Sequence, residues 1–317
     1  MSITLTQLRS FLAIVRTGSV TGAAEELVVT QPSVSVALSS LSRELGVQLT
    51  ERVGRSVKTT PAGERFAPYA ADVIGLLEQG RRAAREAGGA AGRELRLGAV
   101  TTAGEHLLPA LVRAFSALHP DIALTVHVGR REAVLRRLLD HDADVVIGAS
   151  PPSDGRLVGV PFLEDELVLT APAGDPLARR RSVPVDSLRD RVWLLREEGS
   201  GTRAMTEQFL AAHELRPKLL TLGSNGAVKE GVLAGLGVSL QSKLVVGAEI
   251  DAGLLARIRV RERLPRRRWH VLRSGIGPLR DPIEAFMAFV ERPQARAAVR
   301  AARRALPAPA GPPAVTR

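Results

Sequence analysis

VTGAAEELVVTQPSVSVALSSLSRELG, Val20 to Gly46, sets small and apolar residues at helical spacing and carries few long polar side chains. Ser19, just ahead of it, predicts the cap of a short helix whose Ala23, Ala24 and Leu27 let another backbone approach closely. A turn at Val28-Val29 follows. Thr30 then predicts the cap of a longer helix, with Pro32 in its first turn, where a missing N–H costs nothing. Projected at about 100° per residue, Val34, Leu38, Leu41 and Leu45 fall on one stripe. Val36, Ser39, Ser40 and Arg43 fall opposite, with Ser35 at the edge. One face is core; the other is short and flat.

A helix that enters the major groove of DNA needs small residues near its N-terminus, so that its backbone nears the phosphates and its hydroxyls and methyls reach base edges. Ser33, Ser35 and Val36 suit that task. The same spacing also describes an ordinary amphipathic bundle with solvated serines, so the flanking segments decide. Upstream, Leu5, Leu8, Leu12 and Val15, with Phe11 beside them, predict a helix stopped at Thr17-Gly18. Downstream, Val47 to Lys58 alternates about a Val53-Gly54 turn and predicts a β-hairpin, with Arg52, Arg55 and Lys58 placed to meet phosphates. Three helices and a basic wing make a winged helix-turn-helix. Its candidate DNA contacts are Thr30, Gln31, Pro32, Ser33, Ser35, Val36, Ser39, Arg43, Arg52, Arg55 and Lys58.

The pattern LxxFxxxxxxGSxxxAAxxLxxxQPSVSxxLxxLxxELG…L…R…R…TPAG, running from Leu5 to Gly63, resembles the N-terminal domain of the LysR-type transcriptional regulators. This chain has Val36 and Ala37 where members of that family usually carry a long polar pair, and Thr50 where they carry an aromatic. The first departure moves the expected base readers to Ser33, Ser35, Ser39 and the backbone.

Ala62 to Ala87 predicts one long helix, roughly 39 Å at 1.5 Å per residue. Phe66, Ala70, Val73, Leu77, Gly80, Ala84 and Ala87 follow the alternating four-three spacing of a coiled-coil seam, which predicts pairing with a second copy. Packing of that face on a neighbouring domain of the same chain is the alternative. Gly88-Gly89-Ala90-Ala91-Gly92 reads as a hinge.

Beyond the hinge, strand-like runs at Leu124–Val128, Asp144–Ile147, Leu167–Thr170, Val192–Leu195, Val238–Gln241 and Trp269–Leu272 alternate with helical patterns at His106–Leu118, Glu132–Leu139, Arg203–Ala212, Ala227–Ala234 and Pro282–Val290. Such alternation predicts an α/β domain with a mostly parallel sheet. The family resemblance implies a periplasmic-binding-protein-like effector domain of two lobes joined by two crossing strands. The expected division is 1–60 winged helix-turn-helix, 61–92 linker helix and hinge, 93–300 effector domain and 301–317 disordered tail. Lobe I takes 93–162 and 268–300, and lobe II takes 163–267.

In open α/β sheets ligands lie beyond the strand C-termini. Three turns there offer hydroxyls and free N–H groups at a helix start: Thr101-Thr102-Ala103-Gly104, Glu198-Gly199-Ser200-Gly201-Thr202-Arg203 and Gly223-Ser224-Asn225-Gly226. Each polar residue taken alone reads as a helix cap. Three at equivalent points predict a cradle for a small anion. The resemblance implies effector contacts at Thr101, Thr102, Ser200, Gly201, Thr202 and Asn225. TTAGEHLLPALVRAFSALHP and GASPP are also similar to regulators of carbon-fixation and sulfur-assimilation operons.

The formal charge is +11, and Arg257 to Arg317 holds fifteen arginines against four acidic residues. Arg257 to Arg268 reads as a strand with a solvated face and a crossover, with a nucleic-acid patch as its alternative. There is no cysteine, no apolar run long enough to span a bilayer, no HExxH or GxSxG, and Gly235-Leu236-Gly237 lacks the third glycine of a dinucleotide fingerprint. The six histidines have no ligand spacing. No catalytic residue, metal or cofactor is therefore expected, and the chain reads as cytoplasmic. The expected function is a ligand-switched transcriptional regulator. Its partners would be double-stranded DNA at promoter sites, a small anionic metabolite, other copies of itself (a dimer through the linker helix, then a tetramer) and RNA polymerase. A constitutive architectural DNA-binding protein with a vestigial ligand domain is the alternative.

Overall fold

Thr4 opens the first helix: its hydroxyl accepts from the Gln7 N–H at 3.3 Å while the Gln7 carboxamide accepts from the Thr4 N–H at 2.7 Å. That helix, α1 (Leu5–Thr17), ends at Gly18 in the left-handed region, φ 66°. Ser19 caps α2 (Val20–Leu27), and Thr30 caps α3 (Gln31–Leu45). The wing follows as antiparallel strands β1 (Thr50–Val53) and β2 (Ser56–Thr59). Thr60 then caps α4 (Pro61–Ala87), its hydroxyl accepting from the Gly63 N–H at 3.1 Å and donating to the Gln48 carbonyl at 2.7 Å.

The computed structural model describes residues 2–54, 56–89, 92–152 and 155–304. The chain divides into two compact units. The first comprises Met1–Gly92, Arg136–Ala143 and Ser274–Arg280; the second comprises Arg93–Leu135, Asp144–Arg273 and the chain from Asp281 onward. Arg55, Ala90 and Ala91, to which the wing and hinge expectations extend, lie outside the described residues.

In the first unit Leu8, Phe11, Leu41, Leu49 and Ala70 form one core cluster, and Ala13, Ile14, Ala23, Ala24 and Val34 form another. Leu38 packs against both and Leu45 against the first, so the apolar stripe of α3 is buried as its spacing predicts. The seam of α4 divides. Phe66 and Ala70 are spent on this core, whereas Val73, Leu77, Gly80, Ala84 and Ala87 are exposed. His141 sits against the middle of α4, 2.7 Å from the Gln79 amide and 3.1 Å from the Asp72 carboxylate.

The second unit runs β3 (Arg93–Val100), α5 (Thr101–His106), α6 (Leu108–Leu118), β4 (Ile122–Gly129), α7 (Arg131–Leu139), β5 (Val145–Gly148) and β6 (Leu157–Pro172). Two 3-10 turns, Pro176–Arg179 and Val185–Leu188, lead to β7 (Trp193–Leu195), α8 (Gly201–Ala212), β8 (Leu219–Thr221), α9 (Asn225–Leu233) and β9 (Ser239–Ser242). The chain ends with α10 (Lys243–Asp251), β10 (Leu255–Ile258), β11 (Arg266–Ser274), α11 (Asp281–Glu291) and α12 (Pro293–Arg304). The sheet order is β10-β6-β11-β5-β3-β4, with β9 also on β6, and β7 pairs with β8 apart from it.

The expected mostly parallel sheet is corrected. β3 runs parallel to β4 and β5, but β5–β11, β6–β9 and β6–β10 are antiparallel. The cause is the two long crossing strands: β6 and β11 lie side by side and pass through both lobes, so their direction is set by the crossing rather than by local βαβ units. Lobe I closes around Phe115, Phe286 and Phe289, with the first two rings 5.1 Å apart. Lobe II packs Leu169, Trp193, Phe209 and Leu240 on one side of its strands and Val168, Leu194, Val228 and Val246 on the other. The tail expectation also shifts, because α12 carries the chain as helix through Arg304, and 305–317 lie outside the described residues.

Gly63 tests the junction between wing and α4. A Cβ there would lie 2.0 Å from the Leu49 backbone oxygen, which cannot give way without moving β1. Gly63→Ala is expected to destabilise the protein by about 1–3 kcal/mol in chemical denaturation. An unchanged midpoint would show that the two elements are free to separate.

Candidate functional site

With Val34 and Leu41 fully buried, α3 turns Gln31, Pro32, Ser33, Ser35, Val36, Ser39 and Arg43 to solvent, and Val36 is 68% exposed. Thr30 is exposed but committed: it caps the helix and its hydroxyl lies 2.8 Å from that of Ser33. Ser40 departs from the flat face. It is half-buried and accepts from the Gln7 amide at 3.0 Å, which ties α3 to α1. On the wing, Arg52 pairs across from Val57 and Lys58 across from Glu51, so the two cations project from opposite faces of the hairpin. Arg43, Arg52 and Lys58 have no carboxylate within ion-pair distance among the described residues, which suits groups kept for phosphates.

A cavity of about 400 Å³ opens between the lobes of the second unit. Five of the six expected effector residues line it: Thr101, Thr102, Ser200, Gly201 and Thr202. None of the hydroxyls acts as a side-chain helix cap. The starts of α5 and α8 carry no side-chain cap hydrogen bond, and α9 is capped by Ser224, through the Ala227 N–H at 3.0 Å, and not by Asn225. Asn225 lies behind the wall, 4% exposed. Its amide donates to the Thr102 hydroxyl at 3.2 Å and to Glu105 at 2.8 Å, and its carbonyl oxygen accepts from Arg196. It therefore joins lobe II to lobe I beneath the pocket.

Beside uncharged residues such as Val100, Met205 and Trp269, the wall carries six arginines. Arg130, Arg131, Arg196, Arg266, Arg267 and Arg268 face a single acid, Glu197. Arg196 is clamped by Glu197 through two hydrogen bonds of 2.7 Å. Burial pushes the Glu197 carboxyl up, but the hydrogen bond from Arg196, its own backbone N–H and the charges of Arg196 and Arg130 outweigh this, so it lies below the usual carboxylate value. Arg267 donates to Asp165 at 2.9 Å and to the Thr202 hydroxyl at 3.3 Å, and its guanidinium stacks 4.0 Å above the Trp269 ring. Burial pulls its pKa down against the opposing pull of Asp165. Arg196 and Arg267 are thus neutralised in place. Arg131 donates to the Ser150 carbonyl at 3.0 Å, and none of Arg130, Arg131 and Arg266 has a carboxylate within ion-pair distance among the described residues. Arg130, Arg131 and Arg266, the uncommitted Ser200 hydroxyl and the N-terminus of α8 are what the pocket offers an anion.

Sequence reasoning passes over Arg130, Arg131, Ser150, Arg196, Arg267 and Trp269. Arg130 and Ser150 follow the C-terminal ends of β4 and β5, so the strand-end rule applied elsewhere reaches them as well. Arg196, Arg267 and Trp269 are placed by long-range pairing, which leaves no local mark. Among the described residues no cluster of His, Cys, Asp and Glu could hold a metal, and no helix is long and apolar enough to cross a membrane.

Two family profiles match the chain: a bacterial regulatory helix-turn-helix protein of the lysR family over residues 5–64, and a LysR substrate binding domain over residues 88–294. The regulator CfxR of Cupriavidus necator is 32% identical over 290 residues, covering 91% of each chain. A RuBisCO operon transcriptional regulator of Acidithiobacillus ferrooxidans is 31% identical over 288 residues, covering 90% of this chain and 93% of the other. Among solved structures, the CcmR regulatory domain of Synechocystis in complex with 2-PG superposes with a TM-score of 0.58 at 30% identity, over 62% of this chain and 95% of that one.

Removing Asn225 tests the link between the lobes. Asn225→Ala leaves a donor of Arg196 and the Thr102 hydroxyl unmatched in a buried place, and is expected to cost about 1–3 kcal/mol in denaturant unfolding. A change below about 0.5 kcal/mol would show that the Arg196–Asn225–Thr102 chain carries no weight.

Proposed function

Because the chain belongs to the LysR family of bacterial transcriptional regulators, and so is a DNA-binding regulator switched by a small metabolite, we propose that its effector is a small anion held between the lobes at Arg130, Arg131, Thr101, Thr102, Ser200 and Thr202. The observation that carries this reading is the charge accounting of the cavity, in which the buried arginines have their own acids while Arg130 and Arg131 do not. A carboxylate or phosphate would complete them. The 2-PG complex of the related CcmR domain supports the same chemical class.

DNA is read by α3 through Ser33, Ser35, Val36 and Ser39, with Arg43, Arg52 and Lys58 on the backbone. Val36 supplies an apolar contact suited to a thymine methyl, and no long side chain stands beside it to reach further. The exposed half of the α4 seam, Val73, Leu77, Gly80, Ala84 and Ala87, pairs two copies so that two recognition helices meet a two-fold site. Pairing between effector domains completes a tetramer, which acts in the cytoplasm, by binding rather than catalysis, on transcription by RNA polymerase.

Switching needs a ligand that binds one lobe arrangement better than another. Asn225 and Thr102 form the hinge contact that such a preference acts on. An anion between Arg130 of lobe I and the α8 start of lobe II favours closure, and the change is passed to the DNA-binding pairs as a coupling free energy.

Two experiments check these assignments. Ser35→Glu places a carboxylate against the phosphates and is expected to abolish footprinting of the chain's own upstream region with an unchanged melting temperature; retained footprints would remove α3 from the interface. Titrated with 2-PG and with inorganic phosphate, the wild type is expected to show a ligand-dependent rise in melting temperature. Thr202→Ala is expected to shift the midpoint of that response about 3–10-fold, as for one hydrogen bond of about 1 kcal/mol, without weakening basal DNA binding. An identical dose response in the variant would return Thr202 to a purely structural role.

A further inference from the structure

The triplet Arg179-Arg180-Arg181 and the alternating Arg259, Arg261 and Arg263 lie far apart in sequence, yet the fold of lobe II brings them together. Val183 pairs with Val260 in a short parallel bridge, its N–H donating to the Arg259 carbonyl at 2.9 Å and its carbonyl accepting from the Arg261 N–H at 2.9 Å. All six arginines are exposed, and none has an ion-pair partner among the described residues. The nearby acids are committed elsewhere. In the adjoining groove, of about 980 Å³, Glu164 holds Arg268, Asp165 holds Arg267, Glu166 holds Arg257 and Lys243, and Glu262 accepts from the Val185 N–H at 2.9 Å. Asp175 is tied to Arg191 at 3.0 Å.

Six like charges on one small surface repel one another unless a polyanion shares them. The patch also lacks what a protein interface would bring. Between residues 179 and 187 and between 259 and 265 no large hydrophobic side chain is exposed, so there is no apolar centre for a partner to bury. Guanidinium groups suit phosphate, which they grip through paired N–H donors.

We propose that this six-arginine surface of lobe II is a sequence-independent contact for the phosphate backbone of double-stranded DNA, additional to the winged helix. It rests on the chain's being a DNA-binding regulator and is independent of what the interlobe cavity holds. Such a surface neutralises phosphates and releases counterions, so it raises affinity for every sequence alike and steepens the dependence on salt.

The test uses the full chain with Arg179, Arg180, Arg181, Arg259, Arg261 and Arg263 all replaced by Gln, and a second variant with only the 179–181 triplet replaced. Fluorescence anisotropy with a random-sequence 60-base-pair duplex and with the chain's own upstream region is followed from 50 to 300 mM KCl. The slope of log affinity against log salt is expected to flatten by about 0.9 for each phosphate that is no longer neutralised, by roughly 3–5 in the six-fold variant and about half that in the triplet. Affinity at 100 mM KCl is expected to fall at least 10-fold on both duplexes equally. Slopes and affinities unchanged in both variants would overturn the proposal. Unchanged DNA binding together with abolished binding to poly-glutamate would overturn it too, assigning the patch to an acidic protein segment. Ser35→Glu serves as the separate control for the winged helix: it is expected to abolish the preference for the upstream region over the random duplex, a ratio that the arginine variants keep.

Discussion

The buried pair of Asp165 and Arg267 sits where the two crossing strands lie side by side, with side chains 1% and 8% exposed. Removing two charges from water costs several kcal/mol for each, and only close geometry with further hydrogen bonds offsets it. Both conditions are met. Asp165 also accepts from the Ser242 hydroxyl at 2.6 Å, which opens α10, and Arg267 reaches Thr202 and lies over Trp269. One ion pair thereby fixes β6 against β11, the start of α8 against both, and the floor of the cavity. Breaking it would leave a bare charge in the interior, so the crossing holds as a unit.

The same accounting separates two kinds of arginine in the pocket. Arg196 and Arg267 are walled in with Glu197 and Asp165 and serve shape; their charge is already answered. Arg130 and Arg131, just past the end of β4, have no carboxylate within ion-pair distance among the described residues and are cations that the proposed anion would meet. A pocket of six unanswered arginines would be too repulsive to hold its form when empty. One in which three of the six are answered, by Glu197, Asp165 and Glu164, is less repulsive and still selective for anions. The depressed pKa of Glu197 follows from this design. Its ion pair with Arg196 is fully present above the ordinary carboxylate value and is lost only as pH falls through the lower folded-state value, so the pocket keeps its form across the neutral range.

The first unit is legible in the sequence because its signals are local. Caps at Ser19, Thr30 and Thr60, glycine stops at Gly18 and Gly46 and the stripe from Val34 to Leu45 all lie within a turn or two of what they specify. The α4 seam is legible only in part, because an apolar stripe does not say which partner covers it; Phe66 and Ala70 serve their own domain. The second unit hides more. β6 extends to sixteen residues, yet Glu164-Asp165-Glu166 interrupts its apolar pattern, and each of those acids is explained only by a basic residue far along the chain: Arg268, Arg267, and Arg257 with Lys243. Asn225 reads as a cap because it stands at a helix start, whereas its side chain serves the opposite lobe. The turns that would cradle an anion can be found from topology, and so can Arg130 at the end of β4, but Arg196 and Arg267 cannot.

The concentration of positive charge near the C-terminal end resolves into three physical roles once the strands are placed. Arg257, Arg267 and Arg268 zip β10 and β11 to the acidic run of β6 and leave no net field. Arg296 anchors α12 by donating to the Phe162 carbonyl at 2.9 Å, and Arg280 is buried against Glu86. Arg259, Arg261 and Arg263 have no ion-pair partner among the described residues and acquire three more arginines from a distant turn. A charge total counts these alike, although the paired and buried arginines project far less field into solvent than the exposed, unpaired ones. Burial and pairing decide which cations a polyanion can feel, so the charge total of the C-terminal segment overstates its basic surface, while Arg179 to Arg181, far along the chain, add to it.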